Sequence, residues 1–200
     1  MAKLEVVRLL LAFSCMIGFK LFQMDVRSAF LNGFINEEVY VSQPPGFEDH
    51  QHLNHVYKLK KALYGLKQAP KQWYERLSNV LLSHSYARGK IDKTLFIKKF
   101  KSVIILVQIY VDDIIFGATN DSLCEEFMAA MQGKFEMSIM GELSFFLRLH
   151  VKQSKDGIFL NQTKYCKEIL KEFEKEKCKE ASTHQCLQAV IWMLTWLEQQ

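Results

Sequence analysis

A chain of 200 residues, 49% of them apolar, is long enough to bury a real core in one domain, and it contains no low-complexity stretch or internal repeat. Its 26 Lys and Arg against 22 Asp and Glu leave a formal charge of +4, which permits a polyanionic partner without requiring one. The five cysteines, Cys15, Cys124, Cys166, Cys178 and Cys186, are odd in number and never in C-x-x-C spacing, which argues against a disulfide framework, a zinc knuckle and secretion.

The opening segment LEVVRLLLAF places Leu4, Val7 and Leu11 on one helix face with Glu5 and Arg8 off it; the stretch imitates a signal peptide but has no small-residue cleavage site. FKLFQMDV reads as a buried strand. AFLNG begins a helical turn that Gly33 can end. The Pro-Pro-Gly break in EEVYVSQPPGFEDH predicts a loop with extended flanks, and VYKLKKALYGLK is ambiguous. APKQWYERLSNVLLSHSY is an amphipathic helix with Trp73, Leu77, Val80 and Leu81 on one stripe and Pro70 in its first turn. Next come three strands, TLFIKKF, SVIILVQIYV and IIFGAT. A helix follows, with the S-x-x-E capping-box spacing at Ser122 and Glu125. FEMSIM, the hairpin ELSFFLRLHVKQS/KDG/IFLNQ and the polar helix TKYCKEILKEFEKEK complete the pattern. The interleaving predicts an α+β fold, an antiparallel sheet with helices on one face. The C-terminal run AVIWMLTWL is too short to span a bilayer, so no membrane partner is expected.

Asp112 and Asp113 sit at the only plausible reversal between two apolar strands, where unpaired charges cost several kcal/mol unless water or a cation holds them. Asp25, at the end of FKLFQMDV, is a third acid at the C-terminal end of a strand. If that strand lies beside the Asp112-Asp113 reversal, the three converge. Carboxylate cages of this kind hold two Mg²⁺ ions about 4 Å apart in phosphoryl-transfer enzymes. Each acid also has a structural reading: Asp112-Asp113 as an ordinary turn, Asp25 as the N-cap of a helix starting near Arg27.

The strings MDVRSAFLNG, EEVYVSQPPGF, LKKALYGLKQAPKQWYERL and QIYVDDIIFG, in this order and spacing, closely resemble the reverse transcriptase of copia-type (Ty1/copia) LTR retrotransposons, part of the Pol polyprotein. The match runs from about Lys3 to Ala181. The resemblance implies a right-hand palm fold with the start of a thumb and RNA-directed DNA synthesis. It implies Asp25, Asp112 and Asp113 as ligands of two Mg²⁺ ions, with Mn²⁺ a possible substitute. It further implies Phe30 as a steric gate against ribonucleotides and Gln68, with Ala69 and Pro70, against the template and incoming nucleotide. Tyr110 and Val111 would lie beneath the primer terminus. Phe30 is equally readable as core, Pro70 as a helix start, and Tyr110 and Val111 as strand residues. Lys58, Lys60, Lys61, Lys67 and Lys71, interleaved with Tyr57, Tyr64 and Trp73, could follow a phosphate backbone or simply face solvent.

The partners implied are an RNA or DNA template-primer, deoxynucleotide triphosphates and, in an intact element, the ribonuclease H and integrase segments of Pol. The expected location is cytoplasmic, within a virus-like particle, or nuclear. Two departures from the family pattern bear on activity. A basic fingers segment is expected ahead of the first helix, and each missing charge-assisted contact to a triphosphate is worth about 1.5–3 kcal/mol. Arg148 also stands where the family usually has glycine near the primer grip, a place of close backbone approach. Beyond a first domain of residues 1–181, residues 182–200 are divergent. With permitted codons, a two-base shift from His184 reads SMPTSCYMDADMAGTT, resembling the family's linker, so the tail is expected to be out of frame. The alternative to an active polymerase is a non-catalytic remnant that at most binds nucleic acid.

Overall fold

The computed structural model describes residues 4–178. The boundary expected near residue 182, the tail from His184 and Cys186 lie outside them. The chain divides into two units, residues up to Leu160 and those from Asn161.

In the first unit, α1 (Leu4–Ile17) buries Val7, Leu10 and Leu11 and leads into β1 (Leu21–Val26). The expected helical turn is a short 3₁₀ segment, Ala29–Asn32. Gly33 follows it with an extended backbone rather than the left-handed one of a glycine cap. Glycine is needed there for space, because a Cβ would sit 2.9 Å from both Gln72 Cβ and the Trp73 backbone nitrogen. The strands β2 (Tyr40–Ser42) and β3 (Val56–Lys58) flank the Pro-Pro-Gly loop and pair with each other, resolving the ambiguous VYK segment as strand.

The helix α2 (Ala69–Ser83) carries Pro in its first turn and buries Trp73, Leu77 and Leu81. It stops three residues short of the expected Tyr86. Ser85 turns left-handed (φ 65°), its N–H donates to the Leu82 carbonyl, and Tyr86 N–H reaches back to Leu81 at 3.1 Å, a Schellman closure without glycine. A short edge strand that was not expected, β4 (Ala87–Arg88), precedes the three expected ones, β5 (Leu95–Phe100), β6 (Val103–Tyr110) and β7 (Asp113–Ala118). The cap of α3 (Asp121–Gln132) is Asn120, not Ser122. Asn120 is extended and its side-chain oxygen accepts from Ser122 N–H at 3.0 Å, while Ser122 is already helical. Then come β8 (Met137–Glu142), β9 (Phe145–Phe146), β10 (Leu149–Ser154) and β11 (Gly157–Asn161). In the second unit α4 (Thr163–Glu172) is shorter than its polar pattern. Left-handed Glu174 and the bond from Lys175 N–H to the Leu170 carbonyl at 2.7 Å end it.

The main sheet is antiparallel throughout, in the order β4-β5-β6-β7-β1-β8. Both of its faces are covered, which corrects the expectation of helices on one face. The α2 and α3 side chains Trp73, Leu77, Cys124 and Phe127 pack with Met24, Phe96, Val107, Ile114 and Phe116. On the other face α1 packs Val7, Leu10 and Leu11 with Leu21, Leu106, Tyr110, Ile115, Phe146 and Val151, the last two from the small β11-β10-β9 sheet. The signal was present in β6, apolar throughout but for Gln108, since a strand buried on both faces loses the alternation of a half-solvated one.

The register Leu149↔Phe146 leaves Leu147 and Arg148 as a two-residue loop between β9 and β10. Both residues are left-handed, with φ of 46° and 66°, the requirement of a type I′ hairpin, for which Asn-Gly is the favoured pair. The glycine expected at position 148 is therefore called for by conformation rather than by close approach. Arg148→Gly should stabilise the fold by about 1 kcal/mol, the cost of a left-handed L-residue, read as a higher urea midpoint with unchanged slope.

Candidate active site

β1 runs antiparallel between β7 and β8, and its register puts Asp25 directly opposite Asp113. Directly opposed residues share a face of the sheet, with Cα atoms about 4.5–5.5 Å apart. Val26 N–H donates to the Asp112 carbonyl at 2.9 Å, tying the end of β1 to the turn that follows β6. Asp25, Asp112 and Asp113 therefore meet at one corner of the first unit, all three half-buried. Asp25 lies within β1 and the next segment is capped by Ser28, left-handed at φ 51°, so the N-cap reading of Asp25 does not hold.

The pairing Tyr110↔Asp113 makes Val111 and Asp112 a two-residue hairpin loop, with Asp113 already in β7. Val111 is left-handed (φ 57°), a conformation that is a genuine outlier for a β-branched side chain and that glycine normally fills at the first position of a type II′ turn. Its carbonyl accepts the Trp73 indole N–H at 2.5 Å, so α2 holds the turn from the opposite side of the sheet. Trp73 is only 1% exposed, which removes it from the aromatics interleaving the basic run and makes it a support of the site instead.

Desolvation, first, raises the Asp113 carboxyl above the ordinary carboxylate range, and the charges of Asp112 and Asp25 add to it. A hydrogen bond from Gln23 Nε2 to Asp113 Oδ1, at 2.7 Å, works the other way. Among the described residues no lysine or arginine forms an ion pair with any of the three acids. Oxygen-only donors with uncompensated negative charge suit a hard divalent cation such as Mg²⁺ or Mn²⁺. The side chains are not yet gathered on one: among the described residues no three His, Cys, Asp or Glu groups are converged as a metal cluster. Backbone register makes the acids neighbours, and side-chain rotation would have to do the rest.

A cleft of about 530 Å³ opens beside the turn, with Tyr110, Val111, Asp112 and Asp113 in its lining, Val6, Pro70 and Trp73 from the helices, and Phe146 and Leu147 opposite. Asp92, Thr94 and Gln108 make part of its lining polar. Asp92 accepts from Thr94 and Gln108, while the Gln108 Oε1 and Tyr110 hydroxyl atoms are buried with no hydrogen-bond partner among the described residues. Burial, with the Asp92 charge adding, pushes the Tyr110 hydroxyl well above the ordinary tyrosine range. Tyr110 stacks obliquely on Phe146 at 5.0 Å.

Of the expected site residues, Asp25, Phe30, Lys67, Gln68 and Lys71 stand apart from this lining. Phe30 packs against the main core with its ring 4.7 Å from that of Tyr64. Gln68 is the half-buried residue before α2, with no side-chain cap bond. Lys67 and Lys71 are exposed, and Lys71 lies 3.7 Å from Glu75. Lys58 pairs with Glu38. Gln23 and Trp73 are the contributors that sequence reasoning missed. Gln23 was detectable, since two positions before Asp25 in a strand is the same face, whereas the helical period of Trp73 pointed only to a core.

The family model for reverse transcriptase (RNA-dependent DNA polymerase) matches residues 1–186. The chain is 38% identical over 148 residues to the retrovirus-related Pol polyprotein from transposon RE1 of Arabidopsis thaliana, covering 74% of this chain and 10% of that protein. It is 31% identical over 184 residues to the corresponding polyprotein from transposon TNT 1-94 of Nicotiana tabacum, covering 90% and 14%. It is 32% identical over 164 residues to a putative transposon Ty5-1 protein of Saccharomyces cerevisiae, covering 82% and 53%. No solved structure matches. The chain belongs to the reverse transcriptase family of Ty1/copia-type retrotransposons, and it spans about a tenth of the length of the plant polyproteins it resembles. Among the described residues no helix is long and apolar enough to cross a membrane.

Like charges held together without a cation weigh on the folded state. Asp113→Asn keeps an oxygen to accept from Gln23 and removes one charge, so its Tm should rise above that of the unaltered chain in chelator-treated buffer at neutral pH. The sign follows from the raised carboxyl. Ionised Asp113 costs stability as pH climbs from the unfolded carboxylate range through the higher folded one, and the Asn variant should lose that dependence.

Proposed function

We propose that the chain is the palm of an RNA-directed DNA polymerase, with α4 at the start of a thumb, extending a primer by nucleotidyl transfer from deoxynucleotide triphosphates. The observation that carries this reading is the register that sets Asp25 opposite Asp113 beside Asp112. In it Asp25, Asp112 and Asp113 hold two divalent cations, Mg²⁺ or in substitution Mn²⁺. When bound, such ions lower the pKa of the primer 3′-hydroxyl and neutralise charge on the leaving pyrophosphate. The residues of the chain position the reactants. The carboxylate oxygens would hold the cations, Tyr110 and Val111 form the floor under the primer terminus, and the Trp73 indole, hydrogen-bonded to the Val111 carbonyl, keeps the turn from moving away.

Exposed Lys60, Lys61 and Lys67, with Tyr57 and Tyr64 each half exposed, form a basic and aromatic surface suited to a phosphate backbone and unstacked bases. Gln68 and Lys71 belong to the same surface in this reading, which also places the ribonuclease H and integrase segments of Pol among the partners. A non-catalytic remnant that only binds nucleic acid is the second reading. It draws support from the acids not being converged as a metal cluster among the described residues.

Primer extension on an RNA template with Mg²⁺ separates the two. Asp112→Asn, which keeps shape and loses charge, should reduce extension by more than about a hundredfold, whereas equal background from both chains would establish the non-catalytic reading. Phe30 acts in this proposal as the gate on the sugar 2′ position. Phe30→Ala should raise ribonucleotide incorporation relative to deoxynucleotide incorporation by about tenfold or more in the same assay, and an unchanged ratio would return Phe30 to the core.

A further inference from the structure

Gln23 has no part in the functional reading above, yet among the described residues it makes the one side-chain hydrogen bond to any of the three acids. Its Nε2 donates to Asp113 Oδ1 at 2.7 Å across 90 positions of sequence. A carboxylate can only accept, so the amide must present its nitrogen there, and its orientation is settled by its partner. The placement is built from the sheet. Gln23 and Asp25 lie two apart on β1 and share a face, Gln23 pairs with Ile115 and Asp25 with Asp113, so Gln23 and Asp113 are diagonal neighbours. Only a long side chain closes such a diagonal. On the opposite edge of β1 the pairing with β8 shifts between Gln23 and Met24, with Met140 as the extra residue beside left-handed Gly141 (φ 85°). A bulge of this kind increases local twist and re-aims side chains, and here it falls at the residue that carries the amide.

We infer that Gln23 is a positioning residue that holds the Asp113 carboxylate in one rotamer for divalent-cation binding, an inference that rests on the cation reading of the three acids. With Oδ1 committed to the amide, Oδ2 is left as the oxygen available to an ion. The same bond offsets part of the like-charge repulsion from Asp112 and Asp25 that would swing a free carboxylate out toward solvent. Residues that orient a metal ligand without touching the metal typically govern affinity by about ten- to a hundredfold.

The test is Mn²⁺ binding to the full chain with no nucleic acid or nucleotide, read from the paramagnetic resonance signal of free Mn²⁺, with thermal unfolding recorded in parallel. Gln23→Met keeps the length and volume but loses the donor, and Gln23→Asn keeps the donor but is too short for the diagonal. Both should weaken Mn²⁺ binding by about tenfold or more. A role confined to folding would move Tm and leave the Mn²⁺ affinity alone. Asp113→Asn serves as reference and should remove most binding. Unchanged Mn²⁺ affinity in both Gln23 variants, alongside loss in Asp113→Asn, would overturn the role of Gln23 and leave the cation reading standing. An unaltered chain that takes up no Mn²⁺ would sink the cation reading and this inference together. If Gln23→Met does not fold, Gln23→Asn alone decides.

Discussion

The position of β1 between β7 and β8 is the constraint from which the rest of the site follows. A strand alternates its side chains, so this strand sends Met24 and Val26 into the core beneath α2 and α3 while Gln23 and Asp25 go to the other face. A slip of one residue would drive Asp25 into that core and take Met24 out of it, at a cost of several kcal/mol for an unpaired buried charge. The apolar residues of β1 therefore police the register, and the acid is placed by residues with no chemistry of their own. Leu21 and Met24, both fully buried, do as much for the site as the carboxylates do.

Two strained turns bound the cleft. Val111 on one side and Leu147 on the other, with its neighbour Arg148, adopt left-handed backbone that side-chain-bearing residues avoid. Strain of this sort persists only where surrounding contacts over-determine it. At Val111 those contacts are visible: the Trp73 indole on its carbonyl, the Val26 amide on the carbonyl of Asp112, and the ladder between Tyr110 and Asp113. At Leu147 the hairpin is pinned by Phe146, buried against Tyr110. Tyr110 thus joins the two turns through its ring.

Much of this was legible from residues alone, and the failures have causes. The strands and helices announced themselves through their periods, and the three acids through their place at the ends of apolar runs. Helix ends were misread where a left-handed residue other than glycine did the capping, at Ser85 and Glu174, because composition gives no sign that serine or glutamate will accept that conformation. The S-x-x-E spacing at Ser122 outweighed an equally good Asn two positions earlier. Covering of the sheet by α1 was missed although β6 lacks alternation. Gln23 and Trp73 escaped because their roles are tertiary: one bond spans 90 positions and the other joins a helix to the far side of a sheet.

That separation shapes how the molecule comes into being. Pairing β6 with β7 closes only a two-residue loop, whereas pairing β1 with β7 closes most of the first unit, so seating β1 carries the larger loop-closure cost and cannot precede the making of β7. During synthesis the nascent chain holds Asp25 on an unpaired strand until the β6-β7 hairpin has emerged, exposing the apolar edge of Leu21, Phe22 and Met24 to whatever else is nearby. The placement of Asp25 opposite Asp113 thereby depends on a long-range pairing of the sheet.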